Sequence, residues 1–384
     1  MEQEFTTSTG YKIFYGAIAA GLIIFSVYLL TNAAANPNGA GLLIAAILLI
    51  IAWGIISNLF KRKVVISDDS VMYTSIWGTK ELAATDIKGF KVGEKAIFIE
   101  PSQTGYSKIR IRDCDSIGNK NDLVEWLGGH FKDLNKEEFE EEKEEILQDT
   151  NLGRTEEDRQ LVFKNAGKYT MVFGFGGLAL FFITLLLHES NYFLSVISLI
   201  YPLLGLVLMG LSKGIVRLFA KKNSAHPSIF IGLFLSSMVL LVRAFLDAKI
   251  LSFDNLVIPA IAVFITVFFV LYYLTVKMAK ASFLSQIFFI VMISAIYGFG
   301  STLLANCIFD KSKPEVFATT VTGHHITHGK STTYHILIGE WGQQHEEENV
   351  SVSESFYYRV AVGSTVNVNL KKGLFNVPWY FLSQ

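Results

Sequence analysis

The sequence predicts a polytopic α-helical membrane protein that carries an α+β cytoplasmic domain and a small all-β C-terminal domain. Of the 384 residues, 51% are hydrophobic and 17% are charged, against about 45–50% and about 25% in soluble domains. The apolar residues gather in long uncharged runs, and a run of about 18 or more crosses a hydrocarbon core of roughly 30 Å. A net charge of -1 excludes a globally basic nucleic-acid binder, and two cysteines are too few for a disulfide framework.

The first two spans form a predicted helical hairpin. Residues 13–60 contain no charged side chain, and Asn36-Pro37-Asn38-Gly39 divides them into two segments, each about 20 residues long and so able to cross a bilayer. Five more apolar segments bring the expected total to seven spans. They lie at about 169–187, 191–211, 229–247, 256–276 and 284–309.

Lys and Arg are distributed unequally between the two sets of loops, and cytoplasmic loops keep these residues. One set contains Lys12, Lys61, Arg62, Lys63, Lys164, Lys168, Lys213, Arg217, Lys221, Lys222, Lys277 and Lys280; the other contains Lys249, Lys311 and Lys313. This bias predicts a multi-pass protein of the cell membrane with a cytoplasmic N-terminus. Seven spans would place the C-terminal tail outside the cytoplasm, and Cys114 and Cys307 would face opposite sides of the membrane.

The polar segments between the spans differ in their patterns. Residues 63–130 alternate in short strands and end in an amphipathic helix, an acidic helical stretch follows, and the tail alternates again in six predicted strands. The domain boundaries follow these changes. They are 1–60 for the transmembrane hairpin, 61–132 for the first polar domain, 133–168 for the acidic linker, 169–309 for a five-helix bundle and 310–384 for the β-domain.

The first polar domain follows directly on a span pair and combines a basic run, alternating strands and one helix. Its characteristic residues are Lys61, Arg62, Lys63, the strand-turn-strand segment 64–78, Ile87, Phe90, Leu123, Trp126 and Leu127. This pattern resembles the bacterial PH-like domains that are fused to transmembrane hairpins. The resemblance implies a bent β-sandwich closed by a helix, which binds or scaffolds and performs no chemistry. Eukaryotic PH domains hold phosphoinositides with basic residues in the first strand loop. The acidic Asp68-Asp69 turn here predicts only a weak, salt-sensitive attraction to lipid.

The tail resembles, more weakly, small β-modules that end bacterial membrane proteins, through Gly363, Gly373 and the Pro378-Trp379-Tyr380 ending. The resemblance implies no activity. Aromatic rings with a polar tip favour interfaces. The candidate contact residues are therefore Trp126 in the first domain and Tyr357, Tyr358, Trp379 and Tyr380 in the tail.

Five of the eight histidines lie in the tail, and a hairpin that turns at Gly329-Lys330-Ser331 can bring His325 or His328 near His335. They are weak metal-ligand candidates, because successive residues point to opposite faces of a strand and no HExxH or cysteine partner is present. We expect no metal and no cofactor, and we interpret these side chains as polar residues on an exposed hairpin.

Arg243 and Asp247 are the intramembrane charges, spaced to pair on one helix face. A transport site is one interpretation, with Pro202 as a possible break in the fourth span. The structural alternative is an arginine that reaches the membrane surface from the last turns of its helix. Glycines at 174, 176, 177, 298 and 300 predict close helix packing.

These observations favour a non-catalytic membrane scaffold or sensor that contacts the bilayer and binds a protein partner or a second copy of itself through its two β-rich domains. The first alternative is a transporter or channel that uses Arg243 and Asp247. The second is a membrane-embedded enzyme that uses the tail histidines or the His188-Glu189 pair. No nucleophile elbow, phosphate loop or paired-carboxylate motif occurs in a supporting context, so an enzyme is the less favoured class.

Overall fold

The computed structural model describes residues 2–35, 39–103, 105–187, 192–247, 249–279, 282–328, 332–342 and 344–384. They form two compact units, Met1–Glu142 and Lys143–Gln384. Within the described residues, six helices are long and apolar enough to cross a membrane: Thr9–Asn32, Gly41–Lys61, Glu156–Leu186, Tyr192–Leu211, Val257–Met278 and Phe283–Ile308. The remaining predicted span is a shorter apolar helix, Phe230–Leu246. The chain therefore has the helices of a membrane protein, and the count of seven spans stays a prediction.

The first unit contains the helical hairpin, α1 (Thr9–Ala35) and α2 (Gly39–Lys61). Small side chains lie between the two helices, where Ala19, Ser26, Ala45 and Ala52 are almost fully buried. Small residues allow helix backbones to approach closely in an apolar medium. Larger apolar side chains on the other faces stay exposed, as expected for helices that contact lipid.

Seven strands accompany the hairpin. A four-stranded antiparallel sheet has the order β1-β2-β3-β4, and a three-stranded antiparallel sheet has the order β5-β6-β7. The strands are β1 (Gln3–Thr6), β2 (Lys63–Ile66), β3 (Ser70–Ser75), β4 (Gly78–Ala83), β5 (Ile87–Val92), β6 (Ala96–Pro101) and β7 (Ile109–Arg112). The sequence pattern did not predict β1, which precedes the hairpin and pairs with β2 after it.

Both sheets share one apolar core with helix α3 (Lys120–His130). Alternate residues of the strands point inward, including Val64, Ile97 and Ile109, and Leu123 from the helix completes the core. The predicted strands and their closing helix are thus present. Helix α4 (Leu134–Gln148), which follows, has the predicted acidic sequence and contains the boundary between the two units.

The second unit has five long helices, α5 (Glu156–Leu186), α6 (Tyr192–Leu211), α7 (Phe230–Asp247), α8 (Val257–Tyr272) and α9 (Phe283–Ile308). Helix α7 packs against α5, α6 and α9. Helices α5, α7 and α9 run in the same direction: Arg243 near the end of α7 bonds Leu187 after α5, and Gln286 near the start of α9 bonds Phe219, which precedes α7. Although α7 is the shorter apolar helix, it therefore runs from one end of the bundle to the other.

Glycine marks the closest helix contacts. A Cβ atom on Gly177 would lie 2.7 Å from the carbonyl oxygen of Gly232, and a Cβ atom on Gly298 would lie 3.1 Å from that of Ala260. Gly176 and Gly300 are similarly crowded, by Tyr201 and Leu240. The prediction of close packing is confirmed at these four glycines. A Cβ on Gly174 would meet nothing within 4 Å, so that position has room for a side chain.

The tail contributes five strands of a six-stranded antiparallel sheet with the order β11-β10-β9-β12-β13-β8. They are β9 (Glu315–His328), β10 (Thr332–Ile338), β11 (Glu348–Val352), β12 (Thr365–Lys371) and β13 (Trp379–Ser383). The sixth, β8 (Lys249–Ile250), lies between α7 and α8 and pairs with β13. The predicted boundary at residue 310 therefore does not enclose the whole sheet, because a two-residue strand leaves no periodic signal in the sequence.

One predicted strand is a helix instead. Residues 357–363 alternate in the sequence, but Glu354–Arg359 form the helix α10. The hydroxyl of Ser353 accepts a hydrogen bond from the backbone N–H of Phe356 (3.2 Å), and a serine cap of this kind stabilises a helix start. Val362, which the strand pattern placed in the core, is 58% exposed.

The orientation of the chain can be tested with reporter fusions. We expect a reporter at Gln384 to be active only outside the cytoplasm and one at Thr150 only inside it, because the Lys and Arg bias would oppose any other arrangement. If α7 does not cross the membrane, the reporter at Gln384 will be active in the cytoplasm and the count of seven spans will be wrong.

Candidate functional site

The C-terminal end of α9 is joined to the tail sheet through Asn306. This side chain is fully buried. Its amide nitrogen donates to the carbonyl oxygen of Val377 (2.9 Å), and its amide oxygen accepts from the backbone N–H of Phe375 (2.9 Å). Its own carbonyl oxygen accepts from the N–H of Leu374 (3.0 Å). One residue of a long apolar helix thus satisfies three backbone groups of the β12–β13 connection.

Asp310, four residues further along the chain and just beyond the end of α9, makes a second set of bonds to the same connection. Its carboxylate accepts from the backbone N–H of Gly373 (3.0 Å), the indole of Trp379 (2.9 Å) and the N–H of Ser312 (2.7 Å). The ammonium group of Lys371 lies 3.7 Å from the carboxylate and donates to the Asp310 carbonyl (2.9 Å). Gly373 has a φ of +79°, and a Cβ there would overlap the side chain of Asn306.

The connection between α7 and α8 joins the sheet as well. Besides the β8–β13 pairing, Leu251 donates its N–H to the carbonyl oxygen of Pro378 (2.9 Å). The side-chain amide of Asn255 donates to the backbone carbonyl oxygen of Asn376 (2.8 Å). We call Asn306, Asp310, residues 249–255 and residues 371–380 the sheet–helix junction. Through it the tail sheet is bonded to the ends of three helices, α7, α8 and α9.

The carboxylate of Asp310 should make the junction sensitive to acid. Burial raises its pKa, but the hydrogen bonds from Ser312, Trp379 and Gly373 outweigh that effect and lower the pKa below its ordinary value of 3.8. A carboxylate whose pKa is lowered by folding stabilises the folded state at every pH above its ordinary, unfolded-state pKa. This stability is lost as the pH falls through the folded-state pKa. We expect the melting temperature to fall below about pH 4, with a smaller fall in Asp310→Asn. An equal fall in both proteins would contradict this assignment.

A buried tyrosine links two strands of the tail sheet, β13 and β11, that are not neighbours. The hydroxyl of Tyr380 in β13 donates to the carboxylate of Glu348 in β11, which also accepts from the indole of Trp341 (3.3 Å). Burial, reinforced by the Glu348 carboxylate, raises the pKa of Tyr380. Tyr380 is 2% exposed, so this predicted contact residue belongs to the core.

The other predicted contact residues differ in exposure. Tyr358 is 67% exposed, whereas Tyr357 beside it is 8% exposed and packs in the core. The Tyr358 ring lies 5.7 Å from Tyr334 and 5.3 Å from Tyr357 between centroids, so a rigid aromatic base supports it. Trp379 is half-buried at the junction, and Trp126 is half-buried in the first unit, stacked on His130 at 4.0 Å. Tyr358 is thus the most exposed of the five.

The tail histidines come together only as a pair. His325 and His335 lie opposite each other in the β9–β10 register, with ring centroids 6.3 Å apart, and His328 faces Thr332 near the end of the strand. Among the described residues, no three His, Cys, Asp or Glu side chains are placed to hold one metal ion. The turn at 329–331 lies outside the described residues, as do His188 and Glu189.

We therefore expect added zinc to leave the melting temperature of the chelator-treated full chain unchanged, since a structural zinc site needs four ligands. The measurement is thermal unfolding with and without Zn²⁺. A rise that disappears when His325 and His335 are both changed to alanine would establish a metal site and contradict this prediction.

The guanidinium group of Arg243 lies inside the helical bundle. It is 0% exposed and donates to the carbonyl oxygen of Leu187 (3.1 Å). Arg243 therefore does not extend to the membrane surface, as the structural alternative expected; other parts of the protein surround its side chain. Asp247 ends α7, and its side chain lies outside the described part of the chain. Pro202 is buried within α6, which continues to Leu211.

The first unit has a cleft of about 880 Å³ between the last turns of α2 and the edge of the β-sandwich, which we call the α2 cleft. One part of its wall is apolar and comes from the helix and the β3–β4 turn, and another part is strongly basic. Sequence reasoning missed this cleft, because its basic residues are scattered over 50 positions from Arg62 to Arg112. A plot of charge on the two faces of each predicted strand would have shown Arg110 and Arg112 on one face of β7.

No family model, no curated protein and no solved structure matches this chain.

Proposed function

We propose that this protein is a non-catalytic membrane scaffold or sensor whose tail sheet binds a protein partner or a second copy of the chain. The observation that carries the proposal is the sheet–helix junction. Buried hydrogen bonds from Asn306 and Asp310 join the tail sheet to the helices, so a change in the sheet is transmitted to the helix ends. A partner-binding domain that only needed tethering would require a single flexible linker and no such junction.

Tyr358 is the proposed contact residue. Large rings with a polar tip contribute strongly to protein interfaces, especially where a rigid base holds them. The Tyr334 hydroxyl, which bonds the carboxylate of Glu354 (2.8 Å), fixes one ring of that base. Glu354 begins α10, so the unpredicted helix is what presents Tyr358 to solvent.

Quantitative capture from native membranes tests the binding step. The wild-type full chain, Tyr358→Ala and Val362→Ala are purified in parallel. Val362→Ala is the control, because both side chains are exposed but only Tyr358 contacts the supporting tyrosine rings. We expect at least one protein, or the second copy, to be retained by the wild type and by Val362→Ala and lost from Tyr358→Ala. The same set of proteins with all three chains would contradict the proposal.

Amide hydrogen exchange tests the coupling step without knowledge of the partner. In Asn306→Ala we expect faster exchange both at residues 373–377 and in the last turn of α9, because the bonds between them are lost. The control Asn349→Ala changes an exposed residue of β11 and should affect only its own strand. Faster exchange on one side of the junction alone would show that the sheet and the helices are not coupled.

A transporter or channel is the second candidate, favoured by the fully buried charge of Arg243. An ionisable group inside a bundle costs free energy and often marks a pathway. Replacing Arg243 by Met and Asp247 by Asn together separates the two candidates. A structural arginine predicts a less stable protein, whereas a transport residue predicts normal melting with lost ion or solute flux in proteoliposomes.

A further inference from the structure

The β3–β4 turn lies at the end of the sandwich that adjoins α2. Lys63, two residues after α2, pairs with Thr74, which precedes the turn. The β2–β3 turn with Asp68 and Asp69 lies at the opposite end of the same strands. The acidic turn is therefore directed away from the end of α2. Its negative charge does not determine how the surface beside α2 interacts with lipid.

The apolar wall of the α2 cleft reaches far along the helix. It includes Ile51 and Ile55 of α2 together with Ile76 and Trp77 of the β3–β4 turn. Ile51 is ten residues before Lys61, a distance of about 15 Å at the rise of an α-helix. Trp77 is 88% exposed, and tryptophan favours the membrane–water interface. The turn thus presents apolar side chains beside a candidate membrane span.

The rest of the cleft wall is basic. Its cations are Arg62, Lys80, Lys108, Arg110 and Arg112, and its one acidic residue is Asp113. Lys80, Lys108, Arg110 and Arg112 are exposed, and the Lys108 ammonium and Arg110 guanidinium groups lie 5.8 and 5.4 Å from the centroid of the Phe98 ring. An anion in the cleft would meet a large excess of positive charge.

Arg62 is the exception to this exposure. It is only 4% exposed and donates to the hydroxyl of Ser116 (2.8 Å) and to the carbonyl of Arg112. Its Nε–H is buried and has no hydrogen-bond partner within the described residues. The sequence placed Arg62 among the basic residues that mark the cytoplasmic loops, and the fold holds it in the wall of the cleft with one donor unsatisfied.

We propose that the α2 cleft binds one anionic phospholipid of the surrounding bilayer. Its phosphate group lies among the basic side chains, and an acyl chain lies along α2 against Ile51, Ile55 and Trp77. A soluble anion would leave the apolar wall uncovered, and a zwitterionic lipid would leave the positive charge unbalanced. The inference concerns the first unit and does not depend on the function proposed for the tail sheet.

Native mass spectrometry of the delipidated full chain tests this binding. Phosphatidylglycerol and phosphatidylcholine are titrated separately into wild type, the double variant Lys108→Glu/Arg110→Glu and the control Lys88→Glu, which changes an exposed lysine of β5 outside the cleft. We expect one tightly retained phosphatidylglycerol, bound at least tenfold more weakly by the double variant and equally well by the control, because each basic residue near anionic lipid contributes substantially. Melting temperatures show whether each variant is folded.

Three results of this titration would overturn the proposal. They are equal retention of the two lipids by the wild type, an unchanged affinity in the folded double variant, and an equal loss in the control. Displacement of the lipid by millimolar inorganic phosphate would identify a site for soluble anions instead and would also overturn it.

A label at the β3–β4 turn tests the position of the acyl chain. Trp77→Cys and Asp69→Cys are labelled with an environment-sensitive fluorophore in nanodiscs, which is feasible because Cys114 and Cys307 are both buried. Lipid-borne nitroxide should quench the label at position 77 and leave the label at position 69, at the far end of the sandwich, unchanged. Equal quenching at both positions, or none at position 77, would contradict an acyl chain that lies against the β3–β4 turn.

Discussion

Replacing Asp310 with asparagine is expected to lower the free energy of unfolding of the second unit by about 3 kcal/mol, because an amide in this position turns a donor toward other donors. The carboxylate accepts from Gly373, Trp379 and Ser312, and an asparagine has one oxygen with which to replace two. Lys371 also loses its ionic partner. Since the Asp310 side chain is 2% exposed, water cannot take over these bonds. The measurement is thermal or denaturant unfolding in detergent, followed by tryptophan fluorescence.

Glu315→Gln is the matched control for this change. It makes the same replacement of a carboxylate by an amide five residues away, at an exposed position at the start of β9, where substitutions usually change stability by less than about 0.5 kcal/mol. Equal stability of Asp310→Asn and the wild type would mean that the Asp310 bonds contribute nothing to the fold. The coupling proposed for the tail sheet would then rest on the Asn306 bonds and the β8–β13 pairing alone.

Gly177→Ala is expected to separate α5 from α7 and to lower stability by about 1–3 kcal/mol or more. The added Cβ would lie 2.7 Å from the carbonyl oxygen and 3.1 Å from the Cα of Gly232. Both atoms belong to a helix backbone, which cannot rotate away as a flexible side chain would. The cost must therefore be met by moving α7, which packs on three other helices.

Gly167→Ala provides a control on the same helix. A Cβ there would meet nothing within 4 Å, and alanine favours the helix over glycine by about 1 kcal/mol. We expect Gly167→Ala to melt at or above the wild-type temperature and Gly177→Ala to melt well below it, both measured in detergent micelles with gel filtration to detect aggregation. A reversed order would show that α5 and α7 do not pack as described.

The sequence alone determined the elements whose signal is local. Uncharged apolar runs can satisfy their backbone groups in lipid only as helices, so the hairpin and most of the bundle followed from composition. Alternation gave most strands of both sheets, because the side-chain period of a strand is two. Glycine clusters indicated where helices touch, and Gly177 and Gly298 are such places.

Local patterns misled at two positions, where a helix cap or the packing of distant helices outweighed them. The alternating residues from Tyr357 onward favoured a strand. The cap at Ser353 instead starts a helix at Glu354, and that helix includes the first of these residues. The position of Arg243 near the end of its helix favoured a side chain that reaches the membrane surface. Only the packing of the surrounding helices encloses it completely.

The tertiary structure alone decided the contacts between distant segments. β1 and β8 contain one apolar residue each, Phe5 and Ile250, and so show no alternation. Each becomes a strand because a distant strand edge supplies its hydrogen-bond partners. The junction joins Asn306 to residues 373–377, and the α2 cleft brings Arg62 beside Arg110. Sequence patterns report which side chains one element buries. They do not report which elements meet, because that depends on how the complete set of apolar faces and backbone groups can be satisfied together.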